Sequence, residues 1–222
     1  MRQLTRPQEP EVLKKLIKQG KSWKEVQPAE RKQIRASLDE MSTRGTNVFC
    51  NYCEKSIGES NRGHIEHLVP RNSQPNLSFE WANLFLSCNS KDHCGQFKDS
   101  PRATTYEPDT LIRPDQEDPE ALFRFFSTGR VEPRPGLDPT SHLRARKTIE
   151  VFNLNDKKLV TARSDVAKQA EALLFEYIDS LVELSEEERT ELFQDEINAF
   201  ENSPFLTTVR QLFIEWQPPN HW

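Results

Sequence analysis

Residues Asn47 to Lys98 read NVFCNYCEKSIGESNRGHIEHLVPRNSQPNLSFEWANLFLSCNSKDHCGQFK, and they hold all four cysteines of the chain and three of its five histidines. Two thiol pairs bracket the stretch, Cys50/Cys53 and Cys88/Cys94. A short C-x-x-C turn aims two thiolates at one tetrahedral ion, so a structural zinc on the four sulfurs is the expectation. The second pair is looser, with Asn89 to His93 between its cysteines. Simple zinc ribbons separate their pairs by roughly 15 to 20 residues. Here Glu54 to Ser87 intervene, so more than a turn is built inside the bracket. The alternative is two disulfides or unpaired core thiols, which a reducing compartment disfavours.

The insert carries Gly63-His64-Ile65-Glu66-His67-Leu68-Val69-Pro70 and then Trp81-Ala82-Asn83-Leu84. A Cys pair, a carboxylate-His-x-x-Pro, an Asn-Leu, a second Cys pair and a Lys, in that order, resemble the HNH (ββα-metal) nuclease motif with a structural zinc. The resemblance implies His67 as general base, Glu66 as the catalytic-metal ligand where the family usually has Asp, and Asn83 as the brace of the loop between the strands. The family also places His or Asn directly after the last cysteine as a second metal ligand, and this chain has Gly95 there. His93, Asp92, Asn89 or Gln96 are candidates to replace it. So is His64, since alternate residues of a strand share a face. Arg71, Lys91, Lys98 and Arg102 are the cations expected to meet backbone phosphates.

These residue types suit phosphodiester hydrolysis, which needs a nucleophile at neutral pH, a cation on the phosphoryl oxygens and help for the leaving alkoxide. Histidine, with an ordinary pKa of about 6.5, is matched to deprotonating water. Glu66 offers the hard oxygen that Mg²⁺ or Mn²⁺ prefers, while thiolates favour zinc. Two different ions are therefore expected, one structural and one catalytic.

The chain has 222 residues, enough to bury a good core as one large domain or a nuclease module with appendages. No run reaches the roughly 18 apolar residues that span a bilayer, and MRQLTRPQEP lacks the apolar core of a signal peptide. A cytoplasmic protein without membrane contact is the expectation. The net charge of −5 is unevenly spread: Asp165 to Ser203 holds twelve acids against Lys168 and Arg189, which leaves the remainder mildly basic. A basic body with an acidic appendage is compatible with nucleic acid, and equally with a helical partner surface.

The fold class expected is α+β: an HNH core flanked by N-terminal helices and a C-terminal helical bundle. Residues 1–45 should form a helical segment, with a helix over Pro10 to Lys18 ended by Gly20 and a second opened by Pro28. Ser22 to Glu25 is a possible capping box. Arg31, Lys32 and Arg35 on the second helix read as a solvated face before they read as a nucleic-acid contact. Residues 46–103 hold the metal core, with His64 to Val69 as its first strand. Residues 104–160 are irregular, with a hairpin over Leu122 to Glu132 around Ser127-Thr128-Gly129, a linker-like break at Pro133 to Pro139, and a short basic helix from Arg144 as a second positive patch. Residues 161–222 should carry a helix from Asp165 with Ile178 in its stripe, one capped at Ser185 with acids in its first turn, and one opened by Pro204; their apolar stripes read as core. Trp222 is a possible docking anchor.

Beyond the motif, the His-Ile-Glu-His spelling, the segment from Ser87-Cys88 to Cys94-Gly95-x-x-Lys98 and the stretch Thr148-Ile149-x-Val151-Phe152-Asn153-Leu154-Asn155 resemble the PtuB-like HNH subunit of Septu-type antiphage systems. That resemblance implies an ABC/SMC-type ATPase partner of the PtuA class, in some systems beside a retron reverse transcriptase and its RNA–DNA hybrid, and a nuclease held inactive until infection is sensed. The competing reading is a zinc-braced binding module without catalysis, for which Gly95 is the argument.

Overall fold

The computed structural model describes residues 1–58, 63–177, 181 and 183–216. Its first helix, α1 (Glu11–Lys18), buries Val12, Leu13 and Leu16 and ends where Gly20 takes φ +64°. Ser22 and Glu25 do form a capping box, although it heads only a single 3₁₀ turn. Helix α2 (Pro28–Ser42) has proline in its first turn and a capping box between Gln27 and Glu30, and it turns Ile34, Leu38 and Met41 inward. Two of the three cations on α2 are engaged within the protein: Arg31 donates to the carbonyls of Trp23 and Val26, and Arg35 pairs with Asp39, while Lys32 is exposed.

A small hairpin of β1 (Thr43–Arg44) and β2 (Asn47–Val48) leads into the first cysteine pair. Strands β3 (His64–His67) and β4 (Leu84–Ser87) are antiparallel, with His64 opposite Ser87, Glu66 opposite Phe85 and His67 opposite Leu84. Helix α3 (Cys94–Lys98) follows. All of β4 is buried, and α2 packs on it, so this strand joins the N-terminal helices to the cysteine-bearing region.

The expected hairpin is present as β5 (Phe123–Phe125) and β6 (Val131–Pro133). Gly129 in its turn has φ +82°, and a Cβ there would come 2.8 Å from the carbonyl carbon of Val160, so only glycine fits. Helix α4 (Pro139–Val151) begins five residues before Arg144. The proline-rich break supplies its start signal: Asp138 caps the N–H groups of Thr140 and Ser141, and Pro139 takes the first helical position. Helix α5 (Lys157–Glu176) likewise begins ahead of Asp165, capped by Asp156. Its buried stripe runs back through Arg163 to Leu159, and an arginine in that stripe hid the period.

Helix α6 (Glu186–Ala199) carries the expected Ser185–Glu188 capping box. Helix α7 (Leu206–Glu215) starts two residues after Pro204, with Phe205 as its N-cap, buried and left-handed at φ +61°. Helix α7 packs against α5, α6 and β5. Ile178 and Trp222 lie outside the described residues. One buried hydrophobic cluster runs from Met1 and Leu4 through Phe85 and Phe152 to Phe213. Among the described residues, no helix is long and apolar enough to cross a membrane.

Candidate active site

The four cysteines come from three places in the fold and meet in its interior. All four sulfurs lie within 4.8 Å of one another, with Cys50 3.8 Å from Cys94 and Cys53 4.0 Å from Cys88. Sulfurs on a tetrahedral zinc with bonds of about 2.3 Å are about 3.8 Å apart, so the group can hold such an ion. A disulfide needs about 2.05 Å, and the cysteines are free. As bare thiols the group is uneven: burial pushes Cys53 and Cys94 up, while hydrogen bonds from Cys50, Cys53 and Cys94 push Cys88 far down. A metal ion would take all four as thiolates.

The Thr148 to Asn155 stretch buttresses this centre. The Phe152 carbonyl accepts the Cys94 N–H at 2.8 Å, the Phe152 ring stacks on Tyr52 at 4.1 Å, and Asn153 donates to the Asp92 carbonyl. That support lets Cys94 hold φ +62°. His93, expected near a catalytic ion, is buried on the thiol cluster instead, with Nδ1 3.2 Å from Cys94 Sγ and 3.6 Å from Cys88 Sγ. Asp92 faces the other way and pairs with Lys158 and Arg102.

The remaining candidates gather beside a cavity of about 620 Å³ walled by β3, the turn after it and α3. His67 is buried, donates Nε2–H to the Ser78 carbonyl at 3.0 Å, and meets Trp23 edge-on at 4.5 Å. That bond leaves Nδ1 as the lone-pair nitrogen. Burial pulls its pKa down to about 4, with the charge of Arg71 helping and the Ser78 bond opposing. The ring is therefore neutral near pH 7.

Glu66 presents its two oxygens to two different groups. Oε2 lies 3.1 Å from His64 Nε2, and Oε1 lies 2.9 Å from Lys98 Nζ, close enough for an ion pair but without hydrogen-bond alignment. Burial alone would raise this carboxyl, but His64 and Lys98 hold it below its ordinary value. Lys98, expected among the phosphate-binding cations, is turned inward: it donates to the His67 carbonyl at 3.1 Å, to Tyr106 Oη at 3.2 Å and to Asp99. Burial would lower Lys98, yet the charge on Glu66 keeps it above its ordinary value.

Asn83 accepts the Val69 N–H at 2.7 Å through Oδ1, and its Nδ2 donates to the carbonyls of Val69 (3.1 Å) and Leu77 (3.0 Å). It thereby ties both ends of the loop between β3 and β4, next to the Ser78 carbonyl that holds His67. Arg71 is exposed at the cavity wall with its guanidinium 5.7 Å from the Trp23 ring centroid. Lys91 and Arg102 are also exposed but do not line the cavity; Arg102 bonds the Lys91 carbonyl. Asn89, a candidate for the missing metal ligand by sequence, lies 3.2 Å from His64 Nδ1. Ser78, Trp23 and Tyr106 had no part in the motif, and Trp23 reaches His67 from a distant turn with no local signal.

No family model matches the chain. Curated relatives do. The Septu protein PtuB of Bacillus mycoides (strain KBAB4) is 27% identical over 159 residues, covering 61% of this chain and 52% of that protein. The Septu protein PtuB of Bacillus thuringiensis is 28% identical over 193 residues, 85% of this chain and 65% of the relative. A Vibrio cholerae (serotype O1 biovar El Tor) protein named "Retron Vc95 putative HNH endonuclease" is 29% identical over 133 residues, 57% and 60%. The chain thus spans about half to two thirds of the length of the relatives it matches. The resemblance carried by the stretch from Asn47 to Lys98 is met in homologues of those names: the chain is similar to Septu PtuB proteins and to a retron HNH endonuclease.

Proposed function

We propose that this chain is a metal-dependent HNH endonuclease of an antiphage system, hydrolysing phosphodiester bonds of DNA or RNA under the control of a PtuA-like ABC/SMC-type ATPase. The observation that carries it is the pairing of His67 and Glu66 beside one cavity, on a strand whose following loop is tied by Asn83. Names of relatives alone would not distinguish an enzyme from a remnant of one.

His67 Nδ1 takes a proton from the attacking water. The Ser78 carbonyl fixes the tautomer that leaves this nitrogen free. An anionic phosphodiester in the cavity raises the pKa of His67 from its low resting value toward the range in which a general base is most effective. Glu66 is the residue that holds the catalytic Mg²⁺ or Mn²⁺, and its buried carboxylate, open on one side to the cavity, is the donor type such an ion takes. When bound, that ion supplies charge for the phosphoryl oxygens. Arg71 at the rim meets a neighbouring phosphate. Cys50, Cys53, Cys88 and Cys94 hold the structural zinc, which fixes the end of β4, the strand paired with β3, and the start of α3 at the cavity wall.

The exposed acids of α6, among them Glu187, Glu191 and Asp195, form a face for assembly. Phosphates are repelled there, so the partner is the ATPase and, in retron-linked systems, the reverse transcriptase with its RNA–DNA hybrid. The reading as an inactive zinc module rested on Gly95, and the packing of Glu66 over that glycine gives it a different reason to be small.

Zinc-loaded protein, alone and with its ATPase partner, should be incubated with plasmid, single-stranded DNA and total tRNA, with Mg²⁺, Mn²⁺ or EDTA. Cleavage of one substrate that needs the divalent ion and is absent in His67→Ala is the expected result. Intact substrates in every arm, with partner present, would put the zinc-module reading in its place.

A further inference from the structure

The family's second metal ligand is missing at Gly95, and β3 carries a replacement. His64 and Glu66 are alternate residues of this strand and share one face, with His64 Nε2 3.1 Å from Glu66 Oε2 beside the cavity. The other ring nitrogen, Nδ1, lies 3.2 Å from Asn89 Oδ1 and donates its hydrogen there. With Nδ1–H held by Asn89, Nε2 faces Glu66 Oε2, to which it donates its own hydrogen when protonated. A divalent cation on the cavity side would displace that proton and take the nitrogen lone pair and the carboxylate oxygen as its ligands, with Nδ1 oriented as in metal-binding histidines generally.

Gly95 makes this pair possible. A Cβ on residue 95 would lie 2.5 Å from Glu66 Cδ and 3.0 Å from its Cγ, inside contact distance. The Glu66 side chain therefore occupies the room that a larger residue at 95 would need. Glutamate is one methylene longer than the usual aspartate, and that extra length is what reaches across the vacant glycine. Lys98 neutralises the far oxygen, Oε1, and leaves Oε2 to the cavity side.

We propose that the catalytic divalent cation is held by His64 and Glu66 of the same strand, with Gly95 supplying space in place of a ligand and Asn89 orienting His64. This rests on the nuclease reading and names the ligands of its centre. One nitrogen and one oxygen donor suit Mn²⁺ better than Mg²⁺, which strongly prefers oxygen.

The test is Mn²⁺ binding to the full zinc-loaded chain, followed by electron paramagnetic resonance and by calorimetry, with circular dichroism as the check on folding. Wild type should bind one Mn²⁺ more tightly than Mg²⁺. His64→Ala should weaken Mn²⁺ at least ~10-fold. Gly95→Ala should do the same while remaining folded, because the end of a long side chain is what must move. In that background Glu66→Asp, one methylene shorter, should regain part of the affinity. If wild type binds Mn²⁺ and cuts nucleic acid but His64→Ala binds it equally well, or Gly95→Ala is without effect, the ligand assignment is overturned and the nuclease reading stands. If wild type neither binds Mn²⁺ nor cuts, the nuclease reading itself is overturned.

Discussion

His67 should make this protein sensitive to mild acid, by an amount the structure sets. In an unfolded chain its imidazole titrates near 6.5, whereas in the fold burial holds it down to about 4. Between those values the unfolded state binds the extra proton and the folded state does not. Stability is therefore whole above about pH 6.5 and is lost as the pH falls toward 4. The full gap corresponds to about 3 kcal/mol, and the part lost between about pH 7.5 and 5 to about 2 kcal/mol. That is a large share of a typical domain's ~5–15 kcal/mol. His67→Gln removes the titration while keeping an N–H group for the Ser78 carbonyl. Urea unfolding of the zinc-loaded proteins, run across that range, should show wild type losing about 2 kcal/mol more than the variant. Protonation of thiolates and other carboxylates acts on both proteins, so the difference isolates His67. Parallel curves would mean that the imidazole is not buried neutral, and the low pKa invoked for the base would be refuted with it.

Cys50→Ser or Cys88→Ser should lose the one zinc per chain expected by elemental analysis, together with much of the melting temperature, since the ion's binding energy is folding energy; a stable, metal-free wild type would sink the zinc assignment. Asn83→Ala removes three hydrogen bonds and should cost about 3 kcal/mol at roughly 1 kcal/mol each, with slower cleavage because the loop beside Ser78 is released; an unchanged melt would count against the bracing role. His67→Ala should lower strand cleavage by roughly 10² to 10⁴ while zinc content and partner binding stay as they are, and a variant that cuts at the wild-type rate would remove the general base. Reversing Glu187, Glu191 and Asp195 to Lys should weaken co-purification with the ATPase partner without shifting the melt. That is a cleaner test of the acidic face than truncation before Ser164, which would cut α5 (Lys157–Glu176) in its middle; full retention by the charge-reversed protein would move the interface elsewhere.

What could be read in the chain was local. Capping boxes at Ser22 and Ser185, the proline at the start of α2, the turn at Gly129 and the two cysteine pairs each announce themselves within a few residues, because caps, turns and knuckles are satisfied by near neighbours. Where helix starts were read late, at α4 and α5, the signal was still local but was obscured by a proline-rich break and by a buried arginine in an apolar stripe. The chemistry of the candidate site depends on contacts at a distance along the chain. Trp23 closes on His67, Phe152 supports Cys94, and Lys98 turns into the interior to meet Glu66. Sequence alone named Glu66, His67 and Gly95 and left the last as a missing ligand. Only the packing of α3 over β3 shows that the glycine is the space in which the Glu66 carboxylate lies, because whether two side chains can share a volume is decided by tertiary approach and leaves no mark on the spacing of either residue.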